Sequence, residues 1–592
     1  MMKNSTAVRL LGFSLAVSLV LCLPAFLMPL QRGFFAKRFP AEFSAWTNNG
    51  SFSYLDSFHM AEDQYTYAAR IQHAGSHLLP GDAYIRENHS PRLLVRDFIP
   101  FYALGWVYRL VGDMPRAWVA IHLLLTFLWV PCLYLFLRRM GAKSEAALFI
   151  AVTSTLFNDM TRLLVSGGPV AMAKDAAQYF FWLLGSYIYW PGPTRLLRPL
   201  FTYPCLFLAG AAFAWLDSKR SRAAVLVSGA AGGALLYVHP DVFGFYAGAG
   251  VLFTAYSLWR ERARALPLLA SLAISGLVCL PWLAINASSS SEELDMMGRI
   301  YGRMPEWGSV LYLACAASCW RLLRSERLAL WTACGLITLV LAVNSQIVIG
   351  WQTNHATWFY LANTIVALLL AVDWSRRLRV KTESWLWLAA CAVLLAAPRA
   401  LSYSVQHYKI YALPRYEEDA LRWLNQNTPQ DSVVVALSPM TNFHLPSHTH
   451  DKIMIARLFL LTSDLSVKEN AERVNFALSL YGVAPRTFMK EGMDASGQWE
   501  RKLWSGEADA ASRERSGALL GYFDVIAPDR MLDLLETTGR EAPGAKFPAD
   551  YLWVGPFEKS VAPDFADRAR RSGWETVFEN PDVTLYRLPV AR

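Results

Sequence analysis

The feature that most constrains this chain is a series of apolar windows, each about 20 residues long, that recurs through its first 402 residues. A hydrocarbon layer of about 30 Å is crossed by about 20 mostly apolar residues in a helix, because a helix satisfies its own backbone polar groups where water is absent. About eleven spans are expected, near Leu10–Leu30, Ala117–Leu137, Ala146–Val165, Leu200–Leu216, Ala223–Val238, Phe243–Trp259, Ala265–Ala284, Ser309–Trp320, Leu328–Ile347, Trp358–Val372 and Trp385–Leu401. Phe98–Leu110 and Ala176–Trp190 read as amphipathic or re-entrant pieces that would alter the count. The fold class expected is a polytopic α-helical membrane protein over residues 1–402, followed by a C-terminal extracytoplasmic α/β domain over 403–592.

Charge separates the same two regions. Residues 403–592 hold 22 basic and 26 acidic side chains, net −4, whereas 1–402 hold 34 and 21, net +13. The excess is clustered at Arg138, Arg139 and Lys143; Lys219, Arg220 and Arg222; Arg260, Arg262 and Arg264; Arg321, Arg324 and Arg327; and Arg376, Arg377, Arg379 and Lys381. These fall at every second connection, the pattern that positive side chains retained on the cytoplasmic face produce. With Lys3 and Arg9 inside, residues 31–96, 166–198, 286–307 and the tail lie outside, in the topology of a bacterial inner-membrane protein with a periplasmic or extracellular domain. The first span reads as an uncleaved signal anchor rather than a signal peptide, since its apolar run is long and lacks a small-x-small cleavage site. All eight cysteines lie before residue 403, so the outer parts carry no disulfide framework.

The outer regions have their own patterning. Tyr65–His77 reads as a helix that Tyr54–Asp63 would extend upstream, and the tail opens with a helix at Tyr416–Asn425, acids in its first turn. Strands are expected at Asp431–Leu437, Phe523–Ala527 and Tyr551–Val554, with a hairpin of Glu575–Phe578 and Val583–Leu588 turning at Asn580–Asp582. Leu465–Ser479 and Arg530–Glu536 read as helices between them.

The residues best suited to chemistry are Asp56, His59, Glu62, Asp63 and Tyr67, in YLDSFHMAEDQYTYAARIQHA on the first outer loop. If helical, this run places Asp56, His59 and Asp63 at i, i+3 and i+7 on one face, where they would hold a divalent metal such as Mg or Mn; otherwise it is an acidic patch on a solvated helix. Glu62 and Asp63 are candidate general bases. Arg195 and Arg198 sit at a span end, suited to a lipid phosphate or to head-group anchoring. His239 and Asp241 are candidates for substrate contact or for a turn in which Asp241 caps the next helix, and His355 stands in an uncharged outer loop. His73 and His77 have the i, i+4 spacing of metal ligands without a third partner in sequence.

Four of these stretches also carry a resemblance. AEDQYTYAARIQ after one N-terminal span resembles the acidic motif of GT-C class membrane glycosyltransferases, which take sugars from polyprenyl-phosphate carriers. TRLLRPLFTYP, NSQIVIGWQTNHATWFY and ALRWLNQNTPQDSVV are similar to segments of bacterial members of that class. The resemblance implies an inverting sugar transfer on the outer membrane face from a lipid-linked sugar donor, with a carboxylate at Glu62 or Asp63 as base and Arg195, Arg198, His239, His355 and Tyr67 around the substrate. The chain departs from the class in placing Glu before Asp and in lacking a clear second acidic pair in the next outer loop.

Other functions find less support. No Walker-type loop, Gly-x-Gly-x-x-Gly, Cys-x-x-Cys or Gly-x-Ser-x-Gly is present, and the positive charge is loop charge, so no nucleic acid is expected as partner. A transporter or flippase of a lipid-linked substrate would place ionisable residues deep in its spans, where few occur. A non-catalytic cell-envelope scaffold is the remaining alternative.

Overall fold

The computed structural model describes residues 4–38, 51–52, 63–77, 81–88, 98–157, 196–286, 308–349, 356–407, 412–455, 465–492, 494, 528–541 and 547–589. Its first part is helical: α1 (Asn4–Arg38), α2 (Asp63–Ser76), α3 (Phe98–Val111), α4 (Met114–Arg139), α5 (Ser144–Leu156), α6 (Thr202–Lys219), α7 (Arg222–Val238), α8 (Pro240–Arg260), α9 (Arg262–Asn286), α10 (Gly308–Ser318), α11 (Arg327–Val343), α12 (Ala356–Arg377) and α13 (Thr382–His407). Each expected span falls on one of these helices or on the turn preceding α6. The expected span to Val165 leaves the described residues after Phe157, and Ala176–Trp190 lies outside them. Helices α1, α4, α6, α8 and α9 are long and apolar enough to cross a membrane, and most of the others are shorter apolar helices. Their outward faces carry exposed Leu226, Val251, Leu266, Leu277 and Leu394, side chains that fit contact with lipid tails rather than water.

Helix contacts follow from side-chain size. On α9 the buried positions Leu268, Ser271, Ser275 and Cys279 form a stripe at helical spacing. This stripe faces glycines of α7, where a Cβ on Gly229 would lie 2.7 Å from Ser271 O and one on Gly233 2.8 Å from Ser275 O. Small residues thus let two helices approach to backbone contact, where packing supplies the attraction that water cannot. At one end of the bundle the basic connections are tied together: Arg327 reaches Asp217 at 2.7 Å and Glu261 at 3.3 Å, and Arg376 reaches Glu326 at 2.7 Å.

The tail forms a five-stranded sheet in the order β4-β3-β5-β7-β6. Its strands are β3 (Val433–Val435), β4 (Lys452–Ile453), β5 (Tyr551–Val554), β6 (Glu575–Glu579) and β7 (Thr584–Arg587); a separate antiparallel pair joins β1 (Ser51–Phe52) to β2 (Ala412–Leu413). β4 and β5 run parallel to β3, while β7 runs antiparallel to β5 and β6 closes the hairpin. The strands expected at Asp431–Leu437 and Tyr551–Val554 and the hairpin at Asn580–Asp582 all form; Phe523–Ala527 lies outside the described residues.

Alternation along the strands builds two hydrophobic layers. Val433, Val435, Leu552 and Val554 face a core filled by α16 (Val467–Tyr481) and α17 (Pro528–Glu541). Val434, Tyr551 and Trp553 face a second layer with Leu421 and Leu424 of α14 (Arg415–Asn427) and Leu445 of α15 (Pro439–His448). That second layer also contains Ala69, Ala83, Tyr84 and Ile85 from the segment between α1 and α3. The loop is therefore part of the sheet's cover: Ile453 N donates to Tyr84 O at 2.9 Å, and Arg86 pairs with Asp550 at 2.7 Å. Each fully buried large apolar side chain in such a layer contributes about 1.5–3 kcal/mol. Met440 and Phe443 of α15 meanwhile pack into the membrane-helix core, so α15 bridges the two bodies.

Candidate active site and the His73–Asp431 cluster

Helix α2 is described from Asp63 onward. The helix is clamped on both sides. Tyr65 is 1% exposed and packs 5.1 Å from the His444 ring of α15, while Tyr67 packs 6.1 Å from Phe101 of α3. Arg70 lies over the same Phe101 ring, and Arg109 donates to Gly75 O at 2.9 Å. A Cβ on Gly75 would meet Gly105 O at 2.7 Å, so α2 and α3 touch backbone to backbone where glycine alone fits. Gln64, beside Asp63, is fully buried, and among the described residues neither its amide oxygen nor its amide nitrogen has a hydrogen-bond partner. A buried amide left this way costs about 1–3 kcal/mol.

Arg198 lies on the π-helical segment Leu196–Phe201, which also holds Pro199 and packs against α2, α4 and the start of α6. Proline removes a backbone donor and displaces the helical ladder, and single π turns of this kind recur at functional sites. The backbone thus brings the elements bearing Asp63, Tyr67 and Arg198 together. His239 lies at the junction of α7 and α8. There the structure corrects one expectation: His239 caps α8, its Nδ1 accepting from Asp241 N at 3.2 Å, and the Asp241 carboxylate lies 3.5 Å from the same nitrogen. The imidazole can reach back to the second amide of the helix, whereas Asp241 is already inside its first turn. Asp56, His59, Glu62, Arg195 and His355 lie outside the described residues, as does the upstream extension of α2.

Long-range folding creates a second group of polar residues at the far end of α2. His73 and His77, rings 4.0 Å apart, meet Asp431 and Lys452 of the sheet domain in a small, half-open cleft. His77 Nε2 is 3.0 Å from Asp431 Oδ2; Lys452 Nζ is 3.0 Å from His73 Nδ1, 3.3 Å from Asp431 Oδ1 and 2.7 Å from Asp82 O. Burial, with Lys452 and His77 adding to it, holds the His73 imidazole down to about 2, so the ring is neutral at physiological pH. Burial would raise Asp431, but the His77 hydrogen bond and the Lys452 charge outweigh it and hold the carboxyl down to about 2. Asp82 accepts from Tyr84 N at 2.8 Å and Asn88 Nδ2 at 2.6 Å, yet burial still pushes it up to about 6. Asp431 and Lys452 were not singled out from sequence. Asp431 reads there as the opening of a Val-rich strand, and nothing local tells that strand which loop will cover it.

No protein-family model and no curated protein matches the chain. In overall path the chain is similar to ArnT. The crystal structure of ArnT from Cupriavidus metallidurans bound to undecaprenyl phosphate superposes with a TM-score of 0.44 at 12% identity, covering 94% of this chain and 98% of that one. The apo form of the same protein gives 0.44 at 11% identity with the same coverage.

Proposed function

We propose that this chain is a GT-C class membrane glycosyltransferase that moves a sugar from a polyprenyl-phosphate carrier to an acceptor hydroxyl on the outer face. The observation that carries the reading is the seating of α2: the helix that starts at Asp63 is held between α3 and the sheet domain and packs against the π segment bearing Arg198. Asp63 or Glu62 takes the proton of the acceptor hydroxyl as its oxygen attacks the anomeric carbon. The bond from that carbon to the phosphate oxygen breaks with inversion, and Arg198 with Arg195 stabilises the departing lipid phosphate. Gln64 is placed to complete its buried amide on the sugar or phosphate, and Tyr67, one turn from Asp63, walls the same side. A Mg or Mn ion at Asp56, His59 and Asp63 belongs to the same proposal, as do outer-loop contacts from His239 and His355, a cytoplasmic N terminus and an outer domain beginning near residue 403.

The test is the double variant Glu62→Gln/Asp63→Asn, purified in detergent and supplied with a panel of polyprenyl-phosphate-linked sugars. Release of polyprenyl phosphate should fall by at least ~10²-fold, the contribution of a positioned base. Unchanged release in a folded double variant overturns the assignment.

A further inference from the structure

We propose that His73, His77 and Asp431 form a binding site for a divalent transition metal, Zn²⁺ by donor chemistry, that fastens the first outer loop to the sheet domain. One donor atom from each of the three lies within 4.8 Å of the others, a spread a metal draws in with small side-chain rotations. Two imidazoles and one carboxylate suit Zn²⁺, with a water completing a tetrahedron.

The hydrogen bonding favours a cation at this place. His77 Nδ1 lies 3.1 Å from His73 O, which orients the ring so that Nε2 faces the sheet domain. Nε2 lies 3.0 Å from the Asp431 carboxylate, with the Gln430 amide nitrogen beside it at 3.3 Å. A backbone carbonyl holding Nδ1–H is also the outer-shell arrangement that fixes a histidine for metal binding through its other nitrogen. Among the described residues His73 Nε2 is buried without a hydrogen-bond partner.

Backbone geometry points the same way. Asp431 adopts φ 62°, in the left-handed region, a conformation non-glycine residues keep where the surroundings demand it. It aims the carboxylate at α2 from two residues before β3. Lys452 is the built-in competitor, since its ammonium bridges His73 Nδ1 and Asp431 Oδ1. A divalent ion takes over both contacts, and Lys452 draws back on its bond to Asp82 O.

This inference does not depend on the glycosyltransferase reading, and its test does not use activity. Full-length protein in detergent is stripped with chelator, dialysed against Zn²⁺, and its bound zinc counted; Co²⁺ is then substituted and its visible spectrum recorded. We expect about one zinc per chain, an intense tetrahedral cobalt spectrum, and a loss of affinity on the order of 100-fold in His73→Ala and Asp431→Asn. Lys452→Met, which removes the competing ammonium, should bind at least ~10-fold more tightly. Zinc absent from both the wild type and Lys452→Met overturns the site, as does zinc retained unchanged in His73→Ala and Asp431→Asn. Should those two variants fail to fold, the wild-type cobalt spectrum and the Lys452→Met affinity decide: no tetrahedral cobalt signal, or no gain on removing Lys452, is equally fatal.

Discussion

The contact between α2 and α15 turns on a few side chains. Glu417, fully buried, lies 2.6 Å from His444 Nδ1, and His448 follows one turn later, its Nδ1 beside Ser447 Oγ and the His444 carbonyl. Burial and the neighbouring His444 hold the His448 imidazole down to about 3. In the unfolded chain a histidine takes up its proton near 6.5, so below that pH the unfolded state binds a proton that the folded state does not. The stabilisation tied to neutral His448 is complete above about pH 6.5 and is lost progressively toward pH 3. The expected slope is up to about 1.4 kcal/mol per pH unit. Thermal melts of wild type and His448→Gln at pH 7, 6 and 5 check this: the gap between them should narrow as pH falls, and parallel curves would refute it. Asp82, pushed up to about 6, titrates in the opposite sense, which is why the difference between proteins is the quantity to read.

At the scale of elements, the membrane helices are joined by fit. A Cβ on Gly233 of α7 would meet Val278 Cβ at 2.6 Å and Ser275 O at 2.8 Å, whereas one on Gly276 of α9 would meet nothing within 4 Å. Gly233→Leu should therefore force the two helices apart, costing about 1–3 kcal/mol or more by overpacking. Gly276→Ala should be neutral or stabilise by a few tenths to about 1 kcal/mol, because it removes backbone freedom without a clash. Melting temperatures in detergent distinguish the two; equal effects would mean that this contact does not set the packing. Helical spans were legible because hydropathy over about 20 residues is a local property. The short strand β4 and helix α15 were not, since two residues of strand and a helix containing Pro446 carry little local pattern.

At the scale of the molecule, the ion pairs from Arg327 and Arg376 gather the basic connections at one end, while α15 and α2 join the sheet domain to the bundle elsewhere. If the basic end is cytoplasmic, a cysteine at Ser572 is reached by an impermeant thiol reagent in intact cells and one at Lys219 is not, in a background lacking the eight native cysteines. Labelling of Lys219→Cys alone would reverse the topology. The same view changes the status of the first outer loop. Its residues 81–88 and the end of α2 are built into the sheet domain, so movements of that domain reach the helix that opens with Asp63.

The sequence by itself determined the membrane-embedded helical body, the C-terminal α/β unit, most of the strands and the acidic run on the loop. Each is written in residues near one another: apolar length, period-two alternation, a charge excess at connections, or a short motif. Only the tertiary structure decided that the loop covers one face of the sheet and that His239 rather than Asp241 caps α8. It alone brought Asp431 to His77, residues 354 positions apart in the chain. Burial of apolar surface drives those meetings without direction, and a pattern of hydrophobic residues specifies that a face must be covered without naming what covers it.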